Sequence, residues 1–227
     1  MPENERLNGF VNEIAAEKGI KTVGAEYCKF AKITYHAYSV RNVYRFRISD
    51  YLSTAPDDVL KDYLDTMMSN LKKKQRKPSG KFMDWMLSDE FVSQWRPVRI
   101  QRSKNISRGT VGKARDLGAS LDRLMDMGLV YDSDIKNSYY TWTSRPNHRK
   151  VGECDLVFRI VTISSVLDSE NVPEKVLDYV VYHETVHLRI GHRQGESAHG
   201  KKFKELENLY PDIEWCERYL SENLKKK

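Results

Sequence analysis

The chain has 227 residues, 40% of them hydrophobic and 31% charged, which is enough apolar surface for one sizeable domain or a domain with an insertion. No apolar run approaches the roughly 18 residues needed to cross a bilayer, and the start Met1-Pro2-Glu3-Asn4-Glu5-Arg6 is too polar for a signal peptide, so no membrane partner and a cytoplasmic location are expected. Lys and Arg number 38 against 32 Asp and Glu, a net +6 that permits nucleic-acid contact without requiring it, and Cys28, Cys154 and Cys216 are too few and too widely spaced for a disulfide framework or a cysteine zinc site.

Residues 1 to 28 open with Leu7, Phe10, Val11 and Ile14 at helical spacing and stop at Gly19, which predicts an arm or short helix. Alternation predicts strands over Tyr27 to Tyr38 and Val43 to Ile48, the second with Arg45 and Arg47 on its solvent face. Ser49 to Pro56 reads as a turn, and Pro56 opens a helix carrying Leu60, Tyr63, Leu64, Met67, Met68 and Leu71. The methionines are core filler, since nothing around them suits a soft metal.

Residues 72 to 116 are the most basic stretch. Lys72-Lys73-Lys74-Gln75-Arg76-Lys77 precedes Arg96, Arg99, Arg102, Lys104, Arg108, Lys113 and Arg115, interleaved with Phe82, Trp85, Phe91 and Trp95. Such a mixture can hold single-stranded nucleic acid through phosphate contacts and stacking, and 72–115 is the candidate region. The stronger reading is an insertion or extended helix pair with buried aromatics and solvated charges, because no nucleic-acid fold signature accompanies it.

A helix is predicted over Leu117 to Val130 with a stop at Gly128, then a strand over Tyr139 to Thr143 and a long β-rich run from Val151 to Ser164. Pro173 opens the next helix with Glu174 at its positive dipole end. Val176, Leu177, Val180, Val181, Leu188 and Ile190 make that helix apolar on several sides, the mark of a core helix.

Inside it stands His183-Glu184-Thr185-Val186-His187. Residues four apart share a helix face, so His183 and His187 can hold one zinc ion. Glu184 is turned about 100° from His183, beside the metal rather than on it, where a general base belongs. This H-E-x-x-H order is the zinc-peptidase signature. Ionisable groups in a core helix need a partner that offsets their desolvation, and a metal is that partner.

A further protein ligand must follow, from His192, Glu196, His199, Glu205 or Glu207. His192 lies about 140° around from His187 and binds only if the helix breaks at Gly191. The metzincin spacing fails, since it would need glycine and histidine where Ile190 and Arg193 stand, while a glutamate ligand from a second helix suits Glu205 or Glu207. His199 is the better choice: Gly195 and Gly200 bracket a loop, Gln194 to Ala198, that can swing it back across the metal. His192 is then a helix-end histidine. Phe203, Leu206, Leu209 and Tyr210 give the next helix an apolar stripe up to Pro211. Asp212 is expected to cap a last helix with Ile213, Trp215, Cys216, Tyr219 and Leu220 facing the core, and Ser221 to Lys227 to fray.

With His199-Gly200-x-x-Phe203 downstream, the motif resembles the SprT-like family of zinc metallopeptidases and its YgjP and WSS relatives. Gly152 to Leu167, ending in Ile163-Ser164-Ser165-Val166-Leu167-Asp168, and Ser49 to Pro56 resemble that domain too, so the likeness runs from about Ala31 to Tyr210. It implies an α+β, zincin-like fold with a small sheet packed on an active-site helix and further helices. It also implies His183, His187 and His199 as zinc ligands, Glu184 as catalytic base, and a protein or peptide substrate laid along the edge of a strand beside that helix. The expected organisation is an arm at 1–28, a domain at 29–210 with a basic insertion at 72–116, and a C-terminal helix and tail at 211–227. The expected function is zinc-dependent peptide-bond hydrolysis. A nucleic-acid-associated protein, with or without DNA-stimulated proteolysis, and a non-catalytic zinc-stabilised scaffold are the alternatives.

Overall fold

The computed structural model describes residues 3–71, 77, 79–192 and 197–224, and the protein is α+β, with two small mixed sheets among the described residues. The chain forms two compact units, Met1–Arg102 and Ser103–Lys227. The basic run at 72–76 and Pro78, the loop residues 193–196 that include Gly195 and Glu196, and the tail at 225–227 lie outside the described residues.

The first unit begins with α1 (Glu3–Glu17), whose Leu7, Val11 and Ile14 are buried. Residues 1–28 are more than an arm, because β1 (Lys21–Cys28) joins a three-stranded sheet. Its order is β1-β3-β2, with β3 (Val43–Ser49) parallel to β1 and antiparallel to β2 (Tyr35–Val40). The single strand expected over 27–38 is therefore the end of one strand and the start of another, and residues 29–34 connect them. The register of β1 on β3 shifts between Thr22 and Ala25, where Gly24 has φ 109° and Asn8 of α1 clasps both backbone groups of Ala25, at 2.8 and 2.9 Å. Arg41 and Asn42, both at positive φ, make the tight turn from β2 to β3.

A 3₁₀ turn at Asp50–Leu52 leads to α2 (Asp57–Leu71), which buries Leu60, Leu64, Met67 and Met68. From the basic stretch come α3 (Gly80–Met86) and α4 (Asp89–Arg102), with Phe82 and Phe91 in the core. Arg102 is structural: it forks onto Asp50 at 2.7 and 2.6 Å and lies over the Tyr51 ring.

The second unit contains α5 (Leu117–Asp126), α6 (Asp132–Ile135), β4 (Tyr139–Trp142), β5 (Gly152–Asp155) and β6 (Ile160–Ile163). It continues with α7 (Glu174–Ile190), α8 (Lys201–Glu207) and α9 (Ile213–Tyr219). The run expected to be β-rich over 151–164 is a hairpin: β5 pairs antiparallel with β6, and β6 pairs parallel with β4. Its sheet order β4-β6-β5 leaves β5 at the edge, and β5 packs on α7. α7 is the centre of this unit, with Val176, Leu177, Val181, Tyr182 and Val186 almost fully buried and α5, α6, α8 and α9 around it. Buried charges lock it in place. Asp178 takes the Ser120 hydroxyl at 2.5 Å and two Arg123 nitrogens, and Arg189 forks onto Asp134.

Three local expectations are corrected. Asp212 precedes α9 in a left-handed conformation without capping it through its side chain, which pairs with Lys175 instead. Trp215 is exposed under the Lys175 ammonium rather than in the core. The chain does not fray at Ser221, because a π-helical turn at Leu220–Leu224 buries Leu224, whose carbonyl meets Nδ1 of His148. No helix among the described residues is long and apolar enough to cross a membrane.

Candidate metal centre

The local sequence explains how α7 carries its polar residues through a core. Thr185 is fully buried, but its hydroxyl bonds back to the Val181 carbonyl at 2.7 Å and meets the Tyr140 hydroxyl at 2.9 Å. Tyr182 is buried and donates to the Leu206 carbonyl, holding α8 against α7. The helix ends where Gly191 takes φ 68°, ψ −167°, a backbone region open in practice only to glycine. Beyond Gly200 the chain re-enters helix as α8.

This path brings His199 back over α7. One nitrogen each from His183, His187 and His199 lies within 4.8 Å of the others. All three rings surround Phe203 of α8, at centroid distances of 4.9, 4.5 and 4.6 Å. The apolar plate fixes the rings by packing and leaves their nitrogens to converge on one side.

His183 has a defined tautomer. Its Nδ1 stands 2.6 Å from Oε1 of Glu207, and a carboxylate can only accept, so Nδ1 carries the proton and Nε2 presents a lone pair. Burial resists the charge on Glu207, but hydrogen bonds from His183 and from the Tyr179 hydroxyl outweigh it and hold that carboxyl below its ordinary value. The free Nε2 of His183 faces Nε2 of His199 at 3.3 Å. With a lone pair on His183, that contact is a hydrogen bond donated by His199 when no ion is bound, and the same two nitrogens can turn to share a metal ion; a carboxylate behind one of them is the usual outer support of a metal-bound histidine. Desolvation, then His183 and His199, push the His187 pKa down to about 4, which keeps the ring neutral as a ligand must be. His199 is also lowered, by desolvation and by His183. The residues fit a transition ion that takes imidazole ligands.

Glu184 is 7% exposed and burial pushes its carboxyl up to about 7, with His183 and Lys150 pulling the other way. It lies against the backbone of Gly152 in β5. A Cβ there would stand 2.3 Å from Oε1 of Glu184, so only glycine lets the carboxyl occupy this place. On this side an open pocket of about 630 Å³ is lined by Val151, Tyr179, Val180, His183, Glu184 and Leu220, with Arg149, Lys150, Arg218, Glu214 and Glu217 around it. A smaller one of about 120 Å³ adjoins His187, between Leu156, Ile190 and Phe203.

Other expected donors are elsewhere. Glu205 is exposed beside Lys201, and Glu207 serves behind His183 rather than in the cluster. His192 follows Gly191, exposed and outside the three-histidine group, and Glu196 is outside the described residues. Tyr210 gives its hydroxyl to the Lys175 carbonyl. Burial, then Glu184, pushes the Cys154 thiol well up, so it is not poised as a nucleophile. Sequence reasoning missed Tyr179, which donates to both Glu207 and Glu217, and the role of Gly152. The isolated glycine in a β-rich run was the available signal for the second. Glu207→Ala should lower zinc affinity by about 10–100-fold while leaving the fold intact, as read by competition with a chelator; unchanged affinity would mean that the carboxylate does not support His183.

Fold and site together define an α+β protein in which two histidines of one helix and a third from the following loop form a cluster suited to a metal ion. Comparison with protein-family models, with curated protein sequences and with solved structures finds no match for this chain.

Proposed function

We propose that this protein is a zinc-dependent peptidase of zincin-like build, resembling the SprT-like family, and that it hydrolyses peptide bonds in protein substrates. The observation that carries the reading is the convergence of His183, His187 and His199 on one point with a buried carboxylic acid, Glu184, next to it along the helix. The three histidines would hold the ion, which when bound would acidify a water and polarise a carbonyl. Glu184 takes a proton from the attacking water and returns it to the leaving amine. Its raised pKa suits both directions of transfer near neutrality. Gly152 keeps the carboxyl in place, and the burial around it excludes competing water.

The substrate main chain is taken up along the free edge of β5, which ends its sheet beside α7. Side chains entering the pocket past Tyr179, Val180 and Leu220 lie close to Glu184. The basic stretch lends less to a nucleic-acid reading than its composition suggested. Arg102 is tied to Asp50, and Arg115 reaches Glu174 and the Val172 carbonyl.

The test is cleavage of an unfolded protein such as casein by the chain loaded with zinc, after chelation, and after zinc is restored. Activity that follows the metal through all three states supports the proposal. Cleavage that survives complete metal removal, or a zinc-loaded protein that cleaves no unfolded substrate, rejects it.

A further inference from the structure

The sheet of the first unit has two unlike faces. Tyr35, Phe46 and Ile48 belong to the inner face, with Phe46 and Ile48 fully buried and Tyr35 edge-on to Tyr63 of α2. Cross-strand partners share a face, so the pairs His36↔Arg47 and Tyr38↔Arg45 stand together on the outer one. No described helix covers it: His36, Tyr38, Val40 and Arg45 are all exposed, Tyr38 by 50% and Val40 by 75%.

On this face the aromatic rings form a row. Phe30 and His36 are stacked at 5.0 Å with their planes 21° apart, and His36 and Tyr38 at 6.2 Å with the same angle. Cations flank the row. Between residues 20 and 48 the chain has Lys21, Lys29, Lys32, Arg41, Arg45 and Arg47 and a single acid, Glu26, which Arg47 already neutralises at 3.3 Å. Arg45, Lys29 and Lys32 form no ion pair with any described residue. Arg47 also bonds Sγ of Cys28 at 3.1 Å.

We infer that this outer sheet face binds single-stranded nucleic acid, with the bases stacking on the ring row at Tyr38 and His36 and the phosphates meeting Arg45 and the lysines of the 29–32 loop. Parallel rings ask for a flat π-face, which each nucleobase has, and unpaired cations beside them ask for a repeating anion at short spacing. An acidic protein would satisfy the cations but not the rings. The surface is independent of the metal centre and of the peptidase reading.

The test is fluorescence anisotropy of a labelled oligouridine of about twelve nucleotides, added to the full chain at about 50 and 200 mM salt. Saturable binding that weakens with salt is expected, and Tyr38→Ala combined with Arg45→Ala should weaken it at least about tenfold. Alanine at Lys72, Lys73 and Lys74 should cost much less. Both replaced side chains are exposed, and His36→Ala with Arg45→Ala gives a second variant should the first lose its circular-dichroism melt. No binding at the lower salt, binding untouched by both sheet variants, or loss found only with the three lysine changes would overturn the inference. Capture of the protein by anionic lipid vesicles without oligonucleotide binding would overturn it as well.

Discussion

Glu184→Gln is expected to keep a full complement of zinc and to lose about 10²–10⁴-fold in the rate of peptide hydrolysis. The amide has nearly the volume of the acid, so it fits beneath Gly152, but it cannot accept the proton of the attacking water. Zinc content and casein cleavage measured on the same preparation separate the two effects. Loss of zinc along with activity would make Glu184 a ligand or a structural group, and retained cleavage would remove it from the chemistry.

The same substitution has a signature in the metal-free protein. Burial raises the carboxyl from its ordinary 4.5 to about 7 in the folded state, so the folded form favours the proton. The stability this gives is complete below about 4.5 and is lost as the pH rises through about 7. Glutamine has no proton to lose. Stability of the chelated Glu184→Gln protein relative to the chelated parent should therefore climb between these values, by up to about 3 kcal/mol. His187 acts in the opposite sense: its pKa falls from 6.5 to about 4, so its contribution is present above 6.5 and lost on acidification. It is common to both proteins and cancels in the comparison. Urea unfolding at several pH values reads the difference, and a flat one would mean that the carboxyl is not desolvated.

His199→Ala is expected to lose zinc. Structural sites of four ligands bind with about 10–16 kcal/mol, so removing one ligand costs about 3 kcal/mol, roughly a hundredfold in affinity. His199 is exposed, so its replacement leaves no cavity, and the apo protein should melt unchanged. That combination is the point of the experiment. Affinity lost with little stability lost marks a ligand, whereas His187→Ala also removes a partly buried ring from the Phe203 contact that both histidines make. Zinc retained in full would place the third ligand elsewhere, with exposed Glu205 and His192 next in line.

How much of this was legible in the chain depends on the distance over which each signal acts. The helix α7, its opening at Pro173, the shared face of His183 and His187 and the offset of Glu184 all follow from a 3.6-residue period and were read directly from residues 173–190. β3 with its outward Arg45 was equally local, because alternation is a two-residue signal. His199 was reachable through glycine spacing. The glycine that the structure shows turning the chain at positive φ is Gly191, and Gly195 lies outside the described residues.

The rest was decided by pairings that no local period records. Glu207 could be named as a ligand from sequence, but only the packing of α8 on α7 puts it behind Nδ1 of His183 and makes it a support instead. Gly152 is one glycine among twelve until β5 is laid against α7 and leaves no room for a side chain beside Glu184. Phe30, His36 and Tyr38 come from a loop and an exposed strand with no shared periodicity, and pairing of β2 with β3 is what sets them in a row beside Arg45 and Arg47. The sequence by itself determined that α7 forms and that His183, Glu184 and His187 lie together on it, since backbone geometry repeats every few residues. The tertiary structure alone decided which of them meet, how each is protonated and what surrounds it, because burial and hydrogen-bond partners come from segments tens of residues apart.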